Sequence, residues 1–217
     1  MKQIAVVILN WNGAALLERF LPTVIKNSGE IAHIYVADNG STDSSKELLN
    51  TKFPQVSIIE MPFNKGFAGG YNLALKDLNE PLFCLLNSDV APSENWLNPI
   101  ITAFKSDPQL AIAQPKILDE LKKTHFEYAG AAGGYLDALG YPFCRGRIFQ
   151  DIEEDLGQYN DSIEVFWATG ACMFIRNEVF NRLNGFDESY FAHQEEIDLC
   201  WRAKNLGYKV MYLGNST

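Results

Sequence analysis

The segment Ile4-Ala5-Val6-Val7-Ile8-Leu9 is an unbroken apolar run rich in β-branched residues, and it stops at Asn10. That is the pattern of a strand buried on both faces, which needs helices above and below its sheet. Asn10-Trp11-Asn12-Gly13 breaks the run, and residues 14–26 then place Leu16, Leu17, Phe20, Leu21 and Val24 at helical spacing. A second strand is predicted over 31–37, ending in Asp38. The turn Asn39-Gly40-Ser41-Thr42-Asp43 follows, with Ser41 or Asp43 placed to cap a helix through Leu48-Leu49. A third strand over 56–59 leads to Asn64-Lys65-Gly66-Phe67-Ala68-Gly69-Gly70, with a helix after it at about 71–78. A fourth strand over 82–86 ends in Asn87-Ser88-Asp89. The β-α-β-α-β-α-β alternation predicts an α/β fold, a central and mostly parallel sheet flanked by helices.

In open sheets of this kind ligands bind beyond the carboxyl ends of the strands. Three polar clusters fall there: 10–13, 38–43 and 87–89. Turn chemistry alone supplies some Asn and Asp at such positions. The second half of the chain changes character. Residues 128–147 are rich in glycine and aromatics, which predicts loops or short hairpins around an acceptor cleft, and 151–161 read as an acidic, solvated loop. Apolar patterning resumes over 165–175. An amphipathic helix is predicted over 194–206, closed by Gly207, and a final strand over 208–213. With 217 residues and no linker, the chain reads as one domain of two halves, about 1–115 and about 116–217.

Several function classes are excluded. A formal charge of −9 does not suit binding to a nucleic-acid backbone. A dinucleotide site wants Gly-x-Gly-x-x-Gly after the first strand, where this chain has Leu9-Asn10-Trp11-Asn12-Gly13. Gly66, Gly69 and Gly70 are followed by no Gly-Lys-Ser/Thr of a phosphate-binding loop. Cys84, Cys144, Cys172 and Cys200 form no Cys-x-x-Cys pair and lack zinc-site spacing, which reads as buried, reduced thiols in a cytoplasmic protein. No apolar run approaches the roughly 18–20 residues of a membrane span; a peripheral membrane contact is compatible with the sequence. Asn87-Ser88-Asp89 offers two oxygen-bearing side chains after a buried strand. Mg2+ and Mn2+ favour such sites, completed by substrate phosphates.

Together these blocks resemble the family 2 glycosyltransferases, which have the GT-A (Rossmann-like nucleotide-diphospho-sugar transferase) fold, and within them the rhamnosyltransferase-like branch. The resemblance rests on residues 7–12, 36–43, 64–72 and 85–90. It continues through Thr169-Gly170-Ala171-Cys172-Met173, Gly185-Phe186-Asp187-Glu188 and Glu195-Glu196-Ile197-Asp198-Leu199-Cys200-Trp201-Arg202. It implies nucleotide-sugar contacts from Leu9, Asn10, Asn12, Asp38, Asn39, Gly66, Asn72, Asn87 and Ser88, with Asp38 as the nucleobase-contacting acid. It implies Asp89 as the main ligand of Mg2+ or Mn2+, Asn87 standing where the family's first acid stands. Glu196 matches the catalytic base, with Glu195 as its neighbour, and Trp167, Thr169, Gly170 and Asp187 are implied on the acceptor side.

The reaction implied is inverting transfer from a nucleotide-diphosphate sugar, dTDP-rhamnose or a UDP-sugar, to a hydroxyl of a glycan or lipid-linked acceptor at the cytoplasmic side. The bland reading of Glu195 and Glu196 is that acids suit a helix N-terminus. His193 reads first as a surface or core residue, Trp167 as core or cleft wall, and Asp198 as an i, i+4 partner of Arg202. Family members usually carry a histidine shortly after the final strand, and this sequence stops at Gly214-Asn215-Ser216-Thr217 before that point, which is read as a truncation. A binding module that has lost transfer is the rival reading. A nucleotidyltransferase is a third, for which the Gly-rich, Lys/Arg-bearing loop after the first strand is absent.

Overall fold

A computed structural model describes residues 2–190 and 193–217. In chain order the elements are β1 (Ile4–Asn10), α1 (Ala14–Ser28), β2 (Ala32–Asp38), α2 (Ser45–Lys52), β3 (Ser57–Glu60), α3 (Gly66–Leu75), β4 (Leu82–Leu86), α4 (Leu97–Ser106) and β5 (Leu110–Pro115). The short strands β6 (Gly134–Leu136), β7 (Pro142–Cys144), β8 (Arg147–Ile148) and β9 (Asp151–Ile152) follow. The chain closes with β10 (Ser162–Glu164), β11 (Cys172–Arg176), α5 (Asn177–Arg182), α6 (Glu195–Asn205) and β12 (Lys209–Leu213).

Eight strands form one sheet in the order β10-β12-β5-β11-β4-β1-β2-β3. β1 runs parallel to β2 and β4, β2 to β3, and β12 to β5, while β11 is antiparallel to both β4 and β5 and β10 is antiparallel to β12. The sheet is therefore mostly parallel, as the alternation predicts. Its strands feed two cores. Ala5 and Val7 join the side chains under α3, α5 and α6, whereas Ile4, Val6 and Ile8 join those under α1, α2 and α4. Burial on both faces is why β1 and β4 read as continuous apolar runs. All four cysteines are buried and unpaired. Among the described residues no helix is long and apolar enough to cross a membrane.

Three expectations change. The glycine-rich run begins α3 instead of preceding it: the helix starts at Gly66 and ends at Leu75. Its glycines serve close packing, since a Cβ on Gly70 would stand 2.9 Å from Leu9 Cδ1 and 3.1 Å from Asn39 Nδ2. The apolar stretch 165–175 contributes β11 only from Cys172 onward, and it runs against its neighbours. The acidic stretch 151–161 is anchored at its middle and at its C-terminal end. Asp155 meets the buried ammonium of Lys116 at 2.7 Å, and Asp161 takes both arms of the Arg145 guanidinium at 3.0 Å. Lys116 is 5% exposed, so Lys116→Ala leaves the Asp155 carboxylate in a poorly solvated place without its partner. A loss of about 3 kcal/mol is expected, read as a lower urea midpoint with an unchanged slope.

Topology also fixes where α6 begins. β12 points the same way as β5, and β5 the same way as β4, because both oppose β11. α6 turns back into β12 through 206–208, so its N-terminus lies at the edge where β1, β2 and β4 end.

Candidate active site

At the ends of β1 and β2, Asn10 and Asp38 are register partners. Asn10 is 1% exposed and Asp38 has no exposed surface. The Asn10 amide donates to Ser41 Oγ at 3.2 Å and to Asp38 Oδ1 at 3.4 Å, while its Oδ1 is buried with no hydrogen-bond partner among the described residues. Asp38 Oδ2 accepts the Ser41 N–H at 3.3 Å and lies 3.6 Å from Lys46 Nζ. Asp38 thus shapes the 38–43 loop from beneath. Asn12, at φ 52, accepts the N–H groups of Thr42 and Asp43 at 2.7 and 3.3 Å. Asn39 donates to Asn64 Oδ1 and the Gly66 carbonyl, both at 3.0 Å, and accepts the Lys65 N–H at 2.9 Å, so its amide is consumed in fastening the start of α3 to β2. Leu9 lies under Gly70. Asn12, Thr42 and Asp43 are exposed on this rim, and the large apolar group that reaches solvent beside them is the indole of Trp11, 58% exposed. In the sequence Trp11 enters only as part of the Leu9-Asn10-Trp11-Asn12-Gly13 segment that departs from a dinucleotide motif. An aromatic ring between two amides at a strand end is the signal that would have found it.

At the end of β4, the Asn87 N–H is held by the Ala171 carbonyl at 2.9 Å. Asn87 and Ser88 are half-buried and Asp89 is exposed. Ser88 Oγ faces Gly13, 3.9 Å from where a Cβ on that glycine would stand. Asn87 and Asp89 line one end of a cavity of 670 Å³ that also touches Arg19, Trp96 and Lys116. The Asp89 carboxylate makes no hydrogen bond among the described residues, and those residues contain no group of three His, Cys, Asp or Glu able to hold a metal ion. These donors fit a Mg2+ or Mn2+ shared with substrate phosphates, not one caged by protein alone.

The third component is the start of α6. Glu195 is 4% exposed and Glu196 is half-buried, and an Oε2 of each is buried with no hydrogen-bond partner among the described residues. Burial pushes both carboxyls up, Glu196 to about 6, with further help from the neighbouring Glu195 charge. The two preceding residues, His193 and Gln194, both sit at positive φ, 74 and 75. Left-handed backbone at consecutive non-glycine residues is strained, and such strain concentrates at functional sites. One helical turn below Glu196, Cys200 Sγ accepts the Ala168 N–H at 3.4 Å, which ties α6 to the 167–170 segment.

That segment is more buried than a sugar-contacting strip would be. Trp167 is 5% exposed and its indole donates to the Tyr135 carbonyl at 2.9 Å, so the ring belongs to the core wall. Thr169 is buried, its N–H on Gln114 Oε1 at 3.0 Å. Gly170 faces the Phe67 ring. Asp187 is exposed, and the Ser189 N–H that it accepts holds its carboxyl below the usual range. Asn72 bonds to Phe186 and Glu188, in the turn that carries Asp187.

Comparison with known proteins places the chain by family and fold. The family described as Glycosyl transferase family 2 matches residues 5–183. The N-acetylglucosaminyl-diphospho-decaprenol L-rhamnosyltransferase of Mycobacterium tuberculosis is 25% identical over 232 residues, covering 96% of this chain and 72% of that protein. Among solved structures, GalNAc-T7 with UDP, GalNAc and Mn2+ superposes with a TM-score of 0.76 at 15% identity, over 98% of this chain and 42% of that one. The mannosyltransferase PcManGT of Pyrobaculum calidifontis, in complex with GDP-Man and Mn2+, gives 0.70 at 15% identity, over 99% of this chain and 55% of that one. The chain therefore spans less than two thirds of either solved protein, and at these identities the likeness is one of fold.

Proposed function

The chain belongs to glycosyl transferase family 2 with a GT-A fold, and on that premise we propose that it moves a sugar, with inversion, from a nucleoside-diphosphate donor to a hydroxyl of a glycan or lipid-linked acceptor. The observation that carries the reading is the half-buried, raised carboxyl of Glu196, with one buried oxygen unpartnered among the described residues, at the same sheet edge as the exposed Asp89. A carboxyl poised near 6 is ionised at neutral pH and still basic enough to accept a proton from an attacking hydroxyl. That oxygen then forms its bond to the anomeric carbon as the bond to the diphosphate breaks on the opposite face. Asp89, with Asn87 beside it, would hold a divalent ion at the donor phosphates, and the ion's contribution is to offset charge on the leaving group. Trp11 offers its exposed face to a nucleobase, while Asn12 and Asp38 keep the loop beneath it in shape.

The relative named as an L-rhamnosyltransferase favours a rhamnosyl donor, for which dTDP-rhamnose is our proposal, and a UDP-sugar is the alternative, from the UDP bound in GalNAc-T7. The discriminating experiment is thermal unfolding with UDP, dTDP, GDP and CDP, each with and without Mn2+. One nucleotide at about 100 times its dissociation constant should add about 2.7 kcal/mol of stability, with Mn2+ required for the full effect. No rise with any of the four would overturn the donor reading.

A further inference from the structure

We propose that Arg202 and Asn72 are positioning residues: they clamp the 183–188 turn between α6 and α3, and so fix the rotation of α6 that aims Glu196. The inference rests on the reading of Glu196 as the base. Arg202 Nε donates to Asp198 Oδ2 at 2.8 Å, Nη1 to the Leu183 carbonyl at 2.7 Å and Nη2 to the Gly185 carbonyl at 3.0 Å. One planar fork thus reaches back to its own helix and out to two carbonyls of the turn. A lysine, a single point of charge, cannot reproduce that spread.

From the other side, the Asn72 amide reads both backbone groups of residue 186. Its Oδ1 accepts the Phe186 N–H at 2.8 Å and its Nδ2 donates to the Phe186 carbonyl at 2.9 Å, with a second bond to Glu188 Oε1 at 3.1 Å. Gly185 makes this approach possible. It sits at φ 71, and a Cβ there would stand 2.3 Å from Asn72 Oδ1. The Phe186 ring, 3% exposed, is held against Phe67, Tyr71 and Phe180.

These contacts decide what α6 can do. Leu199, Cys200 and Ala203 bury one face of the helix, and the Cys200–Ala168 bond holds it to the 167–170 segment. Arg202 holds it to the turn. With both in place the helix is held on two flanks, and Glu196 keeps its half-buried position. Releasing the turn frees one flank and lets the carboxylate swing toward water.

The test is ¹³C NMR of the protein labelled at its glutamate carboxyl carbons, titrated from pH 4 to 9. The Glu196 signal is assigned with Glu196→Gln. The titratable neighbours Glu195, His193 and Cys200 are unchanged in the variants that test the clamp. In Arg202→Lys and Asn72→Ala, the Glu196 midpoint should fall by about half a unit or more toward the solvated value, because the group gains water. Both variants should still melt cooperatively. A role in stability alone would lower the melting temperature and leave the midpoint where it is. An unchanged midpoint in a folded variant overturns the proposal, and Asn72→Ala decides it should Arg202→Lys not fold. If Glu196→Gln transfers sugar normally, the base assignment fails, whereas the NMR midpoint reports on the clamp independently.

Discussion

Replacing Glu196 by glutamine is expected to lower sugar transfer about 10²- to 10⁴-fold while leaving nucleotide binding in place, because an alcohol is a poor nucleophile until a positioned group takes its proton. The same substitution should stabilise the fold. Burial raises the Glu196 carboxyl from 4.5 to about 6, so the folded protein holds that proton more tightly than the unfolded chain does. The associated stability is fully present below about pH 4.5 and is lost as pH rises through about 6. One and a half units correspond to about 2 kcal/mol. Glutamine cannot ionise, so the variant should gain on the parent between pH 4.5 and 7, ending about 5 °C higher in melting temperature at pH 8. The two should converge near pH 4. Loss of activity without that pH-dependent gain would mean that the Glu196 carboxyl is not in the half-buried, unpaired state described. In the parent, transfer should fall about tenfold per pH unit below 6. If Glu195→Gln removes transfer and Glu196→Gln does not, the base is Glu195.

How far the sequence speaks for this site depends on which interactions are local. β1, β2 and β4 are legible because burial on both faces leaves a continuous apolar signature, and their polar ends mark the edge where a ligand sits. α3 is misplaced because propensity argues against Gly66, Gly69 and Gly70 in a helix, whereas the cause of those glycines is the approach of Leu9 and Asn39 from elsewhere in the chain. The anchoring of 151–161 is invisible for a similar reason: Lys116 lies 39 residues from Asp155. The candidate residues divide the same way. The family resemblance brings Asn39, Asn72 and Trp167 into view. What their polar atoms do is set by Asn64, Phe186 and Tyr135, which no local pattern links to them. Glu195 and Glu196 suit any helix N-terminus in sequence. It is their burial without partners that sets them apart.

Replacing Asp89 by alanine should remove the Mn2+-dependent part of nucleotide binding altogether. A cation caged by several side chains would survive loss of one ligand with weakened affinity. Here the described residues supply no such cage, and Asp89 is the exposed carboxylate at the end of β4. Its affinity for the ion must therefore come jointly from this one group and the donor phosphates. Two consequences follow for the intact protein. Mn2+ alone should leave the melting temperature almost unmoved, and nucleotide alone should raise it only in part. Together they should add about 2.7 kcal/mol at saturating concentration. In Asp89→Ala the joint addition should match the nucleotide alone, and transfer should fall with it, because nothing then offsets charge on the departing diphosphate. Asp89→Asn tests charge against shape: it keeps an oxygen in place but loses the negative charge that a hard cation prefers, and should sit close to the alanine variant. A full Mn2+-dependent shift in either variant would move the ion away from β4, and with it the diphosphate whose departure sets the direction of attack on the sugar.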